Sequence, residues 1–194
     1  MRVLPANDIA RASALEALRQ GHLLLFPTET VYGIGGDARN SAVLERLAAA
    51  KGRAPDKPFQ WLVADIETAR RGSTGWDERA ERLARAFWPG PLTLVVRSGE
   101  TSIGWRMPRH AWLLELLRAW GAPLAASSAN PSGAPPPKNC AEAISLLGEA
   151  AALAVDGGAI PPGAASSVAQ LTRDGWILLR HGAISEAAIR AVLA

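Results

Sequence analysis

Three short stretches concentrate the residues able to do chemistry. Thr28, Thr30 and Tyr32 bring three hydroxyls into five residues, Ser127, Ser128 and Asn130 bring two hydroxyls and an amide into four, and Lys51, Arg53 and Lys57 bring three cations into seven. Ser102, Ser166, Ser167, Arg106 and Arg180 extend the same inventory along the chain. Hydroxyls, an amide and converging cations suit polyanion binding and electrostatic catalysis. A triphosphate wants several mobile cations, and each charge-assisted bond to it contributes about 1.5–3 kcal/mol when desolvated.

The usual nucleophiles and metal centres have no signature. GxSxG, HExxH, GxxxxGK[ST] and GxGxxG are all absent. Cys140 is the one cysteine, and His22, His110 and His181 lack metal-ligand spacing. Each candidate also has a plain structural reading: Lys51 to Lys57 as a solvated loop at a helix end, Thr28 and Thr30 as turn residues, Ser127 to Asn130 as a cap. For Arg106 and Arg180 it is a surface ion pair or strand-edge charge, and for His110 an ordinary helix-start histidine. Of 21 basic residues only Lys51, Lys57 and Lys138 are lysines, so the Lys51/Lys57 pair hints at a wanted ammonium. The net charge of +3 permits nucleic-acid binding without demanding it.

The elements that must position these groups alternate between helix and strand. Leu23 to Phe26 is an unbroken apolar run, expected as a buried strand ended by Pro27 and followed by a glycine-rich loop rather than more strand. Asp8 is expected to cap a helix over Ile9 to Gln20, with Ile9, Ala12, Leu15 and Leu18 facing the core. Asn40 or Ser41 caps a second helix ending near Lys51, and further helices are expected over Asp77–Phe87, Ala111–Trp120 and Cys140–Gly148, with the last capped by Ser185. Arg79, Arg82 and Arg85 form the exposed face of the third. Apolar runs at 59–63, 92–96, 102–108, 123–126 and 152–155, and a pair at 166–171 and 176–179 joined by Arg173-Asp174-Gly175, read as strands. Ser127 to Gly133 is expected as loop, and Ala134-Pro135-Pro136-Pro137 as a lid-like loop. The sum is one α/β domain over residues 1–194, a twisted mixed sheet flanked by helices with a concave, positively charged ligand face. No apolar run of membrane-spanning length and no signal-peptide pattern appears, so a cytoplasmic protein without membrane partners is expected.

FPTETVYGIGGDA (26–38) resembles the signature of the YrdC-like domain of the threonylcarbamoyl-AMP synthases. WPGPLTLV, RMPRH, SSANPSG, DGG, SSV and LLRHG follow in that family's order. The resemblance implies an enzyme of the short, single-domain type that makes threonylcarbamoyl-AMP and pyrophosphate from L-threonine, bicarbonate or carbon dioxide, and ATP with magnesium (Mg2+). The product would pass to downstream threonylcarbamoyl-transfer proteins for modification of tRNA adenosine, with tRNA or other RNA a further partner. On matching positions it implies ATP contacts from Lys51, Arg53, Lys57, Ser102, Ser128, Asn130 and Arg180, with Lys51 and Arg53 catalytic. Thr28, Thr30, Arg106 and Ser166 would bind threonine.

The sequence departs from that pattern where Gln60-Trp61-Leu62-Val63 replaces an apolar run bearing a histidine, and where Ser166-Ser167-Val168-Ala169-Gln170 lacks the acidic end of STVVD. Two alternatives stand beside the synthase. One is a non-catalytic RNA-binding module, and the other a same-fold nucleotidyltransferase acting on a different acid.

Overall fold

Among the described residues, ten strands form one mixed sheet. A computed structural model describes residues 1–53, 58–161 and 163–194. In chain order the elements are β1 (Arg2–Pro5), α1 (Asp8–Arg19), β2 (Leu23–Pro27), β3 (Tyr32–Asp37), α2 (Ser41–Lys51), β4 (Gln60–Leu62), α3 (Ile66–Arg71), α4 (Glu78–Phe87) and β5 (Leu92–Ser98). They continue with β6 (Thr101–Arg106), α5 (Ala111–Trp120), β7 (Leu124–Ser128), α6 (Cys140–Leu147), β8 (Ala151–Asp156), β9 (Ser167–Thr172), β10 (Gly175–Arg180) and α7 (Glu186–Leu193). The strands lie in the order β1-β8-β2-β3-β7-β4-β6-β5-β9-β10, the single α/β domain with a mixed sheet that the alternation of patterns predicts.

Several local expectations are corrected. The cap of α1 is Asn7, whose side chain accepts from Ala10 N, and the buried face is Ala10, Ala14, Ala17 and Leu18. Ile9 is 65% exposed and Ala12 is exposed too. Small alanines let the helix lie close to the sheet, and the larger Ile9 falls on the outer side. Tyr32 to Asp37 is strand, paired antiparallel with β2 on one side and β7 on the other. Its glycines are there for backbone packing rather than for ligand approach, since a Cβ on Gly35 would stand 2.3 Å from the Ala125 carbonyl oxygen. Ser127 and Ser128 close β7 instead of opening a loop. Arg79 is half-buried and donates to Asp77, Thr172 O and Gly175 O. The strand β1 and the helix α3, capped by Asp65, carry too few periodic residues to be foreseen.

The two halves of the sheet are covered differently. Around β2, β3, β7 and β8 apolar clusters lie on both faces, one with Val43 and Leu47 of α2 and Ala143 of α6, the other with Leu18 of α1 and Leu113 and Leu117 of α5. The β5, β6, β9 and β10 half packs Leu92, Leu94, Val96, Trp105, Ala169 and Leu171 against Leu83 of α4 and Ile189 of α7. Burying each such leucine contributes about 1.5–3 kcal/mol. The alternate residues, Thr93 and Val95 of β5 and Val168 and Gln170 of β9, face a cavity instead.

Candidate functional site

The uncovered face of that half-sheet is the floor of a cavity of about 700 Å³. Its wall is built by the β2–β3 turn, by β7 and the segment after it, and by the start of β4. Thr30, Arg53, Ser102, Arg106, Ser128, Asn130, Ser166 and Arg180, all candidates from the sequence, line it. Ala134 and Pro136 of the proline-rich stretch line it as well. Among the described lining residues there is no carboxylate, cysteine or histidine.

Arg106 is delivered by the last position of β6 and is 2% exposed. It donates from Nη2 to Thr30 Oγ1 (3.1 Å) and from Nε to Gly90 O (3.3 Å). Glu29 Oε1 stands 2.9 Å from the same Nη2. Thr28 has the turn role of its plain reading: its hydroxyl donates to Val31 O (2.6 Å), accepts from the amides of Thr30 and Val31, and lies 3.1 Å from Thr30 Oγ1. It does not line the cavity, while Thr30 does.

Lys51 is the last residue of α2, because Gly52 takes the left-handed conformation (φ 56°) that stops the helix. The side chain is 3% exposed, and its ammonium donates to Ser128 O (2.6 Å) and to Asn130 O. Burial, with Arg53 nearby, lowers its pKa to about 8. Lys51 therefore joins α2 to the Ser128–Asn130 segment and does not line the cavity. Arg53 lines it, with Nη2 on Pro58 O (2.9 Å) and its guanidinium 4.9 Å from the Phe59 ring centre. Lys57 lies outside the described residues.

Asn130 is 5% exposed and uses Nδ2 on Pro131 O and Ala134 O, while its buried Oδ1 has no donor among the described residues. A buried acceptor of this kind is costly until a ligand donor reaches it. On the opposite wall Arg180 donates to Ser166 O (2.9 Å) and Ser166 Oγ (2.8 Å), Ser166 Oγ lies 3.2 Å from Thr93 Oγ1, and Thr93 donates to Gln60 Oε1 (3.1 Å). Partial burial and then the charge of Arg106 lower the Arg180 pKa. Two guanidiniums held near each other want an anion between them.

Thr93 and Glu29 were not singled out from the sequence. The alternation Leu92/Thr93/Leu94/Val95/Val96 was the available signal for Thr93. Gln60 stands at the cavity where the family resemblance leads one to expect a histidine close by. His110 occupies the N-cap position of α5 without a capping bond, and its pKa is lowered by burial against the opposing charge of Glu29.

The profile of the Sua5/YciO/YrdC family, described as "Telomere recombination", matches residues 16–182. The chain belongs to this family. A threonylcarbamoyl-AMP synthase of Bacillus subtilis (strain 168) is 37% identical over 98% of this chain and 58% of its own length. One of Chromohalobacter salexigens is 39% identical over 73% of this chain and 82% of its own. The crystal structure of Pyrococcus abyssi Sua5 complexed with L-threonine superposes with a TM-score of 0.92 at 33% identity, covering 100% of this chain and 61% of that one. The chain thus spans about three fifths of the longer relatives. No helix among the described residues is long and apolar enough to cross a membrane.

Proposed function

We propose that this cavity binds ATP and L-threonine and makes threonylcarbamoyl-AMP, the activity for which the relatives are named. The observation that carries the reading is the composition of the wall: Arg53, Arg106 and Arg180 with hydroxyls and an amide, and no cysteine, histidine or carboxylate among the described lining residues. Such a wall serves two anionic ligands that react with one another. Arg106 would take the α-carboxylate, Thr30 the substrate hydroxyl, and Ser166 would border them. Arg53, Arg180, Ser102, Ser128 and the open Oδ1 of Asn130 would hold the nucleotide, with Lys57 extending the phosphate contacts. Lys51 would act through Ser128 and Asn130, whose backbone it fixes.

The chemistry then balances without a side-chain nucleophile. The threonine amine and bicarbonate give a carbamate with loss of water, a carbamate oxygen attacks the α-phosphorus, and pyrophosphate leaves with the electrons of the broken P–O bond. Among the described residues no group of three His, Cys, Asp or Glu could hold a metal. In this reading magnesium would enter with the triphosphate as part of that substrate. Cytoplasmic work on tRNA, with the adenylate handed to a transfer protein, completes the proposal.

The test is a pyrophosphate assay with each component omitted in turn and mass identification of the adenylate. Release is expected with ATP, magnesium, threonine and bicarbonate together, and without RNA. Release of phosphate instead, or indifference to threonine, overturns the reading. Release with a different acid identifies a same-fold enzyme of altered specificity, and RNA binding with no release under any mixture identifies the non-catalytic module.

A further inference from the structure

One carboxylate stands directly behind the wall of the cavity and has no part in the chemistry above. Glu29 lies in the turn between Thr28 and Thr30, with Oε1 2.9 Å from Arg106 Nη2. The pair is enclosed, with side chains 3% exposed for Arg106 and 18% for Glu29. Both Glu29 oxygens are out of water, and no donor among the described residues is aligned on either. The charge of the neighbouring guanidinium offsets the cost of burying this carboxylate.

That arrangement changes what Arg106 can select. Its Nε is committed to Gly90 O and its Nη2 to Thr30 Oγ1 and Glu29, while Nη1 enters none of these contacts. A ligand carboxylate therefore meets a guanidinium fixed in one orientation. An unpaired buried arginine beside Arg180 would attract any small anion, bicarbonate and pyrophosphate included. With Glu29 behind it, the subsite presents a positive and a negative charge side by side. The negative one is unscreened by hydrogen bonds, so its field reaches into the site. A bare carboxylate gains from Arg106 and loses to Glu29. An amino acid carries an ammonium next to its carboxylate and gains from both.

We propose that Glu29 is a positioning and selectivity residue of the amino-acid subsite: acting through Arg106 it fixes the guanidinium, and its charge favours a carboxylate ligand that also carries an ammonium over one that does not. The proposal rests on the reading that Arg106 and Thr30 receive the amino acid.

The experiment is calorimetric titration of the full chain at neutral pH with L-threonine and with 3-hydroxybutanoate, the same skeleton without the amine, for wild type, Glu29→Gln and Glu29→Asp. Wild type is expected to prefer threonine by about tenfold or more, since like charges opposed in a buried site cost several kcal/mol. Glu29→Gln keeps the side-chain shape and removes the charge, so the preference shrinks to within about threefold, chiefly because 3-hydroxybutanoate binds better. Glu29→Asp keeps the charge but withdraws it from the site, so its preference for threonine falls between those of wild type and Glu29→Gln. A wild type indifferent to the amine overturns the proposal. So does a Glu29→Gln protein that loses both ligands alike, which is what a merely structural residue would do. Should Glu29→Gln fail to fold, Glu29→Asp decides: a reduced preference supports the charge, and the full wild-type preference overturns it. A wild type that binds 3-hydroxybutanoate but not threonine overturns the proposal, whereas one that binds neither overturns the functional reading on which it rests.

Discussion

Replacing Lys51 by methionine keeps the length of a buried side chain while removing its charge and its donors. Two effects oppose each other. The ammonium's bonds to Ser128 O and Asn130 O are charge-assisted and together stabilise by about 3–6 kcal/mol. Burying the charge costs about 3 kcal/mol, from the gap between the ordinary 10.5 and the value of about 8 in the fold at about 1.36 kcal/mol per unit. At neutral pH the variant should be less stable by about 0–3 kcal/mol. The pH dependence is the sharper test. The folded pKa lies below the unfolded one, so between pH 8 and 10.5 the unfolded state binds more protons, and wild-type stability rises with pH across that window. Methionine binds none. The wild-type advantage should therefore be flat below pH 8 and then grow by up to about 1.4 kcal/mol per pH unit. Urea unfolding of both proteins, followed by far-UV circular dichroism from neutral to alkaline pH, measures it. Parallel stability curves would refute the burial of a charged Lys51. ATP affinity should also fall in the variant, because Lys51 holds the backbone of Ser128 and Asn130.

Gly35→Ala should cost about 3 kcal/mol or more in urea unfolding, because the new Cβ would stand 2.3 Å from a backbone oxygen of β7 and neither central strand can move away; a loss under about 0.5 kcal/mol would contradict the packing. Arg53→Ala should weaken ATP binding by about tenfold or more in calorimetry, the loss of one charge-assisted contact, while threonine affinity stays at the wild-type value. Turnover by wild type should fall in the order threonine, serine, valine, since valine leaves the buried Thr30–Arg106 pair without its hydroxyl partner. Equal turnover of threonine and valine would show that Thr30 does not read the substrate.

The fold was legible wherever one period dominated a long enough stretch. The runs Leu23–Phe26 and Leu92–Val96 and the Ala111–Trp120 helix stand where their patterns put them. Tyr32–Asp37 was misread because three glycines usually signal a bend, whereas here Gly35 lets β3 lie against β7 closer than a Cβ permits, and Gly33 and Gly36 make room for Phe26 and Val43. Cation clustering pointed to Lys51, but sequence spacing cannot tell a side chain facing a cavity from one turned inward onto carbonyls. Eight of the site candidates share a wall because separate strand ends converge there. Glu29 stayed hidden, since its partner Arg106 lies 77 positions further along the chain.

The order of the strands has a consequence for how the protein comes into being. Arg180 follows Thr30 by 150 residues, and at about 5–20 residues per second a ribosome separates them by roughly 8–30 s. Until β9 arrives to pair in parallel with β5, the edge of β5 is an unpaired apolar strand, a template for association with other chains. A ligand cannot rescue the nascent chain in that interval, because Ser166 and Arg180 are missing from its binding surface. Ligand stabilisation should therefore act on the last step alone. Hydrogen exchange with and without nucleotide should place the added protection on the β9–β10 hairpin, whose docking onto β5 closes the binding surface.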